Sequence, residues 1–141
     1  MSDVEVLQES QWIDLDIVNN TNVALDIRSV KLSYGKFYNH GGSKSDEIPA
    51  AVVEGRVIPK GTSRYVMASC GRASSPSGTE GEFYVHIRGT TERVAFIRWN
   101  CPFYGDNFFS ATTVSHASVK NTSWSRKGSL SYITVTIEGT L

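Results

Sequence analysis

The chain has 141 residues, which is the size of one domain. Its 14 basic and 14 acidic side chains give a formal net charge of zero at pH 7, so it has no net field to attract nucleic acid or an anionic bilayer. Apolar residues make up 40% of the chain, too many for a disordered protein, and no apolar run reaches the roughly 18 residues of a spanning helix. We therefore expect one soluble domain over residues 1–141, with a polar, flexible segment over residues 1–10 that lacks the basic and apolar regions of a signal peptide.

Alternation of apolar and polar residues runs along the chain, and no stretch shows an apolar pattern of helical spacing over three turns. In the last apolar segment, for example, Ile133, Val135 and Ile137 alternate with Thr134 and Thr136, which indicates a strand with one buried side. The predicted strands are, in chain order, Gln11–Asn19, Val23–Tyr38, Val52–Ile58, Ser63–Cys70, Glu82–Arg88, Arg93–Asn100, Asn107–Ser115 and Ser129–Glu138.

The segments between these strands are rich in Gly, Ser, Asn and Pro. The longest are 39–49, 71–81 and 118–128, and a shorter one covers 88–92. Turn signals that recur between short alternating strands are typical of a sandwich, whose loops gather at its ends. The sequence therefore predicts an all-β fold, a single-domain antiparallel β-sandwich.

Residues that could support catalysis form no recognisable motif. His40, His86 and His116 lie in a Gly-rich loop, a strand and a Ser-rich segment. Ser69–Gly71 lacks the G-x-S-x-G pattern of a nucleophile elbow. We therefore predict a binding protein that is not an enzyme and needs no cofactor.

The acidic residues and the cysteines give no metal-binding pattern either. Asp14, Asp16 and Asp26 alternate along strands as solvent-facing residues would, and no Asp-rich calcium loop is present. Cys70 and Cys101 are 31 residues apart and form no C-x-x-C pair. No metal is predicted, and the two cysteines fit a disulfide and a pair of buried thiols equally well.

Aromatic residues are concentrated near predicted strand ends and loops. In the segment Trp99–Phe109, Pro102 and Gly105 interrupt the strand, and consecutive rings must point to opposite sides. Some of these rings should therefore face water. Exposed aromatic residues suit a membrane interface, a sugar-stacking lectin site beside Gly105–Asn107, or a protein interface, and the residues alone leave these three alternatives open.

Several segments occur in the order in which a known family carries them: Gln11-Trp12, Leu32–Tyr38, Glu54–Gly61, Ser69–Phe83, Arg98–Pro102, Trp124 and Ile133–Ile137. On these segments the chain resembles the aegerolysins, small β-sandwich proteins of fungi and bacteria that bind membrane lipids. Its stretch Pro102–Asn107 is more similar to the bacterial branch, which includes the small component of binary insecticidal toxins.

The resemblance implies a mechanism with two proteins. The aegerolysin recognises a sphingolipid or a sterol-containing membrane, and a larger perforin-like partner then forms the pore. It implies action at a target cell membrane, and because the start of the sequence shows no signal peptide, we expect release by lysis or another non-standard route. It leaves a homodimer open, and a lectin-like carbohydrate-binding module is the alternative function.

The resemblance also implies a set of site residues. Membrane-facing aromatic residues of the family correspond here to Trp12, Tyr34, Phe103 and Trp124, with Trp99 beside them and Tyr104 in the same loop as Phe103. For Trp12 and Trp99, a place in the core is as good an interpretation as a place on the membrane-facing surface. A headgroup-selecting glutamate of one fungal group aligns with Ser77, so the resemblance implies no particular lipid. Cys70 and Cys101 match a cysteine pair of fungal relatives, which implies neighbouring strands and favours a disulfide.

Overall fold

The structure is a computed structural model that describes residues 9–73 and 77–141. Its elements in these ranges are β1 (Trp12–Thr21), β2 (Leu25–Tyr34), β3 (Lys36–Tyr38), β4 (Glu47–Ile48), α1 (Ala50–Val53), β5 (Val57–Ile58), β6 (Thr62–Cys70), β7 (Thr79–Ile87), β8 (Arg93–Cys101), β9 (Phe108–Thr113), β10 (Ser118–Asn121) and β11 (Ser131–Gly139). A six-stranded sheet has the order β10-β11-β1-β6-β3-β4, and a five-stranded sheet has the order β5-β2-β7-β8-β9. The predicted β-sandwich is confirmed.

The N-terminal prediction falls mainly outside these ranges, since the flexible segment was placed on residues 1–10. Within the described part of the chain, no helix is long and apolar enough to cross a bilayer.

Among the residues that the structure describes, all strand pairs except one are antiparallel. The exception joins β1 to β11, which run parallel with Leu15 opposite Ile133. Parallel neighbours need a long crossover connection, and here the rest of the domain provides it. The last strand of the chain therefore lies beside the first, near the middle of the six-stranded sheet.

The strand predicted over Val23–Tyr38 is in fact two strands in different sheets. Gly35, between β2 and β3, has a φ of +95°, and a Cβ there would lie 2.6 Å from the main-chain oxygen of Cys70. Only glycine tolerates both conditions. The chain thus crosses from one sheet to the other at a residue that the alternation of its neighbours does not reveal.

Two further strand predictions need correction. The segment Val52–Ile58 contains the end of α1 and only the two-residue strand β5. β4 and β10 lie in stretches that were predicted as loops. The strands β4, β5 and β10 are two to four residues long, which is too short for an alternating pattern to be recognised.

The core lies between the two sheets and follows the alternation. Ile13, Leu15 and Ile17 of β1 point into it, as do Ile133 and Val135 of β11. Burying each such side chain contributes about 1.5–3 kcal/mol to stability. The intervening residues of β1 and β11 therefore face the outer side of the six-stranded sheet.

Candidate binding surfaces

One end of the sandwich carries a cluster of the predicted site residues. β2 and β8 finish there, opposite the start of β7, since Tyr34 pairs with Glu80 and Cys101 pairs with Thr79. The loops between β8 and β9 and between β10 and β11 meet at the same end. We call it the aromatic end, defined by Tyr34, Ser77, Phe103, Tyr104 and Trp124.

The two loops of the aromatic end are bonded to each other. The main-chain N–H of Asn107 donates to the oxygen of Arg126 at 2.8 Å. The buried side-chain amide of Asn107 donates to the main-chain oxygens of Ser125 and Gly128, both at 2.9 Å. The loop between β8 and β9 therefore has a fixed place on the loop that precedes β11.

An ion pair on the surface connects the same two loops. Arg126 donates from Nη2 to Oδ2 of Asp106 at 2.7 Å, and Lys127 pairs with the other carboxyl oxygen. Hydrogen bonds from these two cations lower the pKa of Asp106 to about 2. The carboxylate of Asp106 is therefore ionised and held by its neighbours at neutral pH.

The rings of the aromatic end differ in exposure. Tyr104 is 78% exposed and Tyr34 is 53% exposed. Phe103 is partly buried and contacts Tyr104 edge-to-face, with ring centroids 4.7 Å apart. Trp124 is partly buried against the core, and Ser77 is also partly buried. Tyr104 thus has the exposure that its loop position predicts, whereas Trp124 offers only part of its ring to a ligand.

Trp99 does not belong to this surface. It is fully buried between the sheets, where its ring lies near those of Phe37 and Phe83. Its indole Nε1 donates to Oγ1 of Thr79 at 3.1 Å. The placing of Trp99 beside the membrane-facing residues is therefore wrong, because inward alternation along β8 makes it a core residue.

The cysteine pair also needs correction. Cys70 and Cys101 are both free, buried thiols, and burial raises the pKa of each to about 11. They do not lie on neighbouring strands, because β6 and β8 belong to different sheets. The side chain of Cys70 packs with Trp12 and Tyr38 on the outer face of the six-stranded sheet, whereas the side chain of Cys101 belongs to the core between the sheets. The disulfide implied by the resemblance is absent.

A second surface lies on the outer face of the six-stranded sheet. It is a cavity of about 270 Å³ lined by Trp12, Asp14, Tyr38, Gly41, Gly42, Lys44 and Tyr132, and we call it the groove. Trp12 and Tyr132 meet edge-to-face, with centroids 5.1 Å apart. Lys44 holds its Nζ 5.2 Å from the Trp12 ring centroid and donates to the main-chain oxygen of Glu9 at 2.8 Å. Trp12 therefore contributes to the groove.

Asp14 is the buried carboxylate of the groove. Its Oδ2 lies 2.6 Å from Nδ1 of His40, whose ring stacks on Tyr65 with centroids 3.7 Å apart. Its Oδ1 is buried and accepts no hydrogen bond from the residues that the structure describes. Burial raises the pKa of Asp14, an effect that His40 partly opposes.

The prediction that Asp14 and Asp26 face solvent is wrong, since both are buried. Both do point to the outer side of their sheets, as alternation predicts. The sequence did not reveal the groove, although Trp12, Asp14 and Asp16 recur at every second residue of β1. That spacing puts the three side chains on one face of β1, and it is the sequence feature from which the groove could have been predicted.

A family model for aegerolysins matches residues 10–140. The chain belongs to the aegerolysin family. The family that the sequence resembles is thereby confirmed, and the match extends from just before β1 to the end of β11.

Individual aegerolysins and a solved structure resemble the chain over much of its length. Asp-hemolysin of Aspergillus fumigatus is 34% identical over 95 residues, which are 67% of this chain and 66% of that protein. Ostreolysin A6 of Pleurotus ostreatus is 29% identical over 116 residues, 82% of this chain and 79% of that protein. The crystal structure of IP-1A from Alcaligenes faecalis superimposes with a TM-score of 0.84 at 28% identity, covering 97% of this chain and 96% of IP-1A.

Proposed function

We propose that this aegerolysin is a non-enzymatic protein that binds a lipid membrane through its aromatic end and acts as the recognition component of a two-component pore-forming toxin. The observation that carries the proposal is the pair of contacting rings, the partly buried Phe103 and the exposed Tyr104, on a loop that is bonded to its neighbour. Its similarity to Asp-hemolysin supports an action on membranes.

The chemistry of the two rings suits the boundary between lipid and water. An apolar ring that enters the interface gains on the order of 1–3 kcal/mol from its buried area, about a tenfold to hundredfold change in affinity. A tyrosine can bury its ring while its hydroxyl stays among the headgroups. Each of the two rings can therefore add to the affinity of the domain for a bilayer.

The bonding between the two loops supports the same role. Asn107 and Asp106 attach the loop that carries the rings to Ser125, Arg126 and Gly128. A loop that is already ordered loses less conformational entropy on binding. The rings are thus presented in a fixed position before they meet a membrane.

The lectin-like alternative receives less support at this end. It relied on Asp106 and Asn107 as polar groups beside the aromatic rings. In the structure their side chains bond to Arg126, Lys127 and two main-chain oxygens. These atoms already have partners within the protein, so a sugar would find few polar groups to bind here.

The larger partner and the target follow from the resemblance. Pro102–Asn107, which is similar to the bacterial insecticidal branch, lies in the loop between β8 and β9 at the aromatic end. We propose that a sphingolipid or a sterol-containing membrane is the ligand. A larger perforin-like protein then assembles on the bound aegerolysin and forms the pore, in an insect target.

Flotation with lipid vesicles tests the role of the aromatic end. Vesicles containing a sphingolipid and cholesterol are mixed with the wild-type chain, Phe103→Ala, Tyr104→Ala and a control, Val114→Ala. Val114 is an exposed apolar residue at the opposite end of the sandwich. We expect each ring variant to bind about tenfold or more weakly with an unchanged melting temperature, and the control to bind normally. Ring variants that bind as the wild type does, at unchanged melting temperature, would contradict the proposal.

The same vesicles, loaded with a dye, test the requirement for a partner. We expect the bound chain to release no dye until a perforin-like protein is added. Dye release by the purified chain alone would contradict the two-component part of the proposal. The lipid-binding part would then still be decided by the flotation experiment.

A further inference from the structure

We propose that Glu54 is a positioning residue for the aromatic end: its carboxylate fixes a bulge in β2, and the bulge sets the place of Tyr34. Glu54 directly follows α1, so it belongs to neither of the two loops of the aromatic end. The proposal rests on the function of the aromatic end only for the importance that it gives to Tyr34. The bulge itself is testable without a membrane.

The bulge lies in the middle of β2. The strand pairs in register with β7 up to Arg28 and again from Lys31, and the two residues between them, Ser29 and Val30, lie opposite a single residue of β7. Ser29 has a φ of +58°, a conformation that glycine usually provides at a bulge of this kind. A serine keeps such a conformation only when the surrounding structure holds it there.

The carboxylate of Glu54 holds this bulge. The main-chain N–H of Ser29 donates to Oε2 of Glu54 at 2.9 Å, and the main-chain N–H of Val30 donates to Oε1 at 2.8 Å. One side chain thus accepts a hydrogen bond from each of the two residues at the register shift. Because the acceptor is charged, these bonds are stronger than those to a neutral group, and they hold Ser29 in its unusual conformation.

The main chain around Glu54 is attached to β2 and to the core. The N–H of Gly55 donates to the oxygen of Ile27 at 2.6 Å, and the N–H of Ile27 donates to the oxygen of Arg56 at 3.0 Å. Val53, the last residue of α1, is fully buried in the core. The carboxylate of Glu54 therefore extends from a backbone that has a fixed place beside β2.

The bulge determines which side chains of β2 face the core and where the strand ends. Leu32 packs against the core, and Lys31 is exposed. Strict alternation from the buried Ile27 would instead direct Lys31 inward, because a shift of one residue exchanges the two faces of a strand. The same shift would move Tyr34 away from its place opposite Glu80. The bulge therefore sets the position of this exposed ring at the aromatic end.

NMR spectroscopy without any membrane tests the bulge. In the wild-type chain, cross-strand nuclear Overhauser contacts should join Lys31 to Glu82 and Tyr34 to Glu80, which are paired in the structure. In Glu54→Ala we expect these contacts to weaken or disappear. The melting temperature should fall by roughly 2–6 °C, because two N–H groups lose a charged acceptor. Unchanged contacts in the folded Glu54→Ala variant would overturn the proposal.

Further variants separate positioning from a general loss of stability. Ser29→Gly adopts a positive φ at no steric cost, so its addition to Glu54→Ala should restore the cross-strand contacts. Glu54→Gln keeps the length of the side chain with one acceptor oxygen, so it should show a smaller loss, and it provides the test if Glu54→Ala does not fold. Glu138→Ala removes an exposed carboxylate at the opposite end of the sandwich and should keep the wild-type contacts. A double variant in which nothing is restored would contradict the role of the bulge.

Flotation with vesicles of a sphingolipid and cholesterol tests the consequence for the aromatic end. At a temperature where every variant is folded, Glu54→Ala and Tyr34→Ala should bind about threefold or more weakly than the wild type. Addition of Ser29→Gly to Glu54→Ala should return the affinity close to the wild-type value. Weak binding by Tyr34→Ala together with wild-type binding by Glu54→Ala would overturn the positioning role. Absence of vesicle binding by the wild-type chain would refute the function proposed for the aromatic end, while the NMR result still decides on the bulge.

Discussion

Trp99 shows what a single residue contributes to this sandwich. Its ring fills the space above Gly81, where a Cβ would lie 2.5 Å from the indole ring. Gly81 pairs with Trp99 across β7 and β8. The absence of a side chain at Gly81 therefore leaves the space that the indole ring of Trp99 occupies. The indole N–H is also satisfied, by Thr79.

We therefore expect Trp99→Ala to lower the free energy of unfolding by about 3–5 kcal/mol, through lost burial and a cavity. Tyr104→Ala is the matched control, since its exposed ring should leave stability nearly unchanged. Urea denaturation followed by circular dichroism measures both. A small loss of stability for Trp99→Ala would show that this ring is not a core element.

The groove shows why a residue pattern predicts a face but not its burial. Alternation along β1 correctly directs Trp12, Asp14 and Asp16 away from the core. It contains no information about the loop between β3 and β4, whose Gly41, Gly42 and Lys44 cover the same face. The burial of Asp14 depends on that long-range contact, so the sequence could not predict it.

At the scale of elements, long alternating strands were predictable and their breaks were not. β6, β7, β8 and β11 lie within a few residues of their predicted bounds. The crossing at Gly35 was missed because the residues on both sides continue to alternate. A residue that enables a sheet change is recognisable only by the contacts that it permits, such as the approach of Gly35 to Cys70.

The two loops of the aromatic end give a prediction at this scale. Asn107→Ala removes both bonds from the buried amide and leaves the oxygens of Ser125 and Gly128 without that donor. We expect a loss of about 1–3 kcal/mol in the free energy of unfolding and weaker vesicle binding, because the loops are then less ordered.

Asp106→Asn is the control for this prediction. It weakens an exposed ion pair, which contributes little to stability, so its free energy of unfolding should stay close to that of the wild type. Thermal and urea unfolding of both variants measure the difference. Equal losses for the two variants would show that the surface ion pair, and not the buried amide, holds the loops together.

At the scale of the whole molecule, β1 and β11 are paired neighbours in the six-stranded sheet. β11 lies between β10 and β1, so the six-stranded sheet is complete only when the C-terminal strand has joined the N-terminal one. The sandwich itself was predictable from recurring strands and turns, while the parallel pairing was not, because alternation carries no information about strand direction. The position of the aromatic end depends on this topology, since it brings the loops before β9 and β11 together.

The charge of the whole molecule gives the final prediction. Equal numbers of acidic and basic residues mean that no net attraction to a charged surface contributes to binding. At the aromatic end, Arg126 and Lys127 are already paired with Asp106, so few free cations remain there to contact lipid phosphates. Apolar contact by Phe103 and Tyr104 is not screened by salt. We therefore expect vesicle affinity to change less than about threefold between low and moderate salt, measured by flotation, with a polybasic peptide on anionic vesicles as the salt-sensitive control. A steep fall in affinity for this chain would show that electrostatic attraction, and not the aromatic rings, holds it on the membrane.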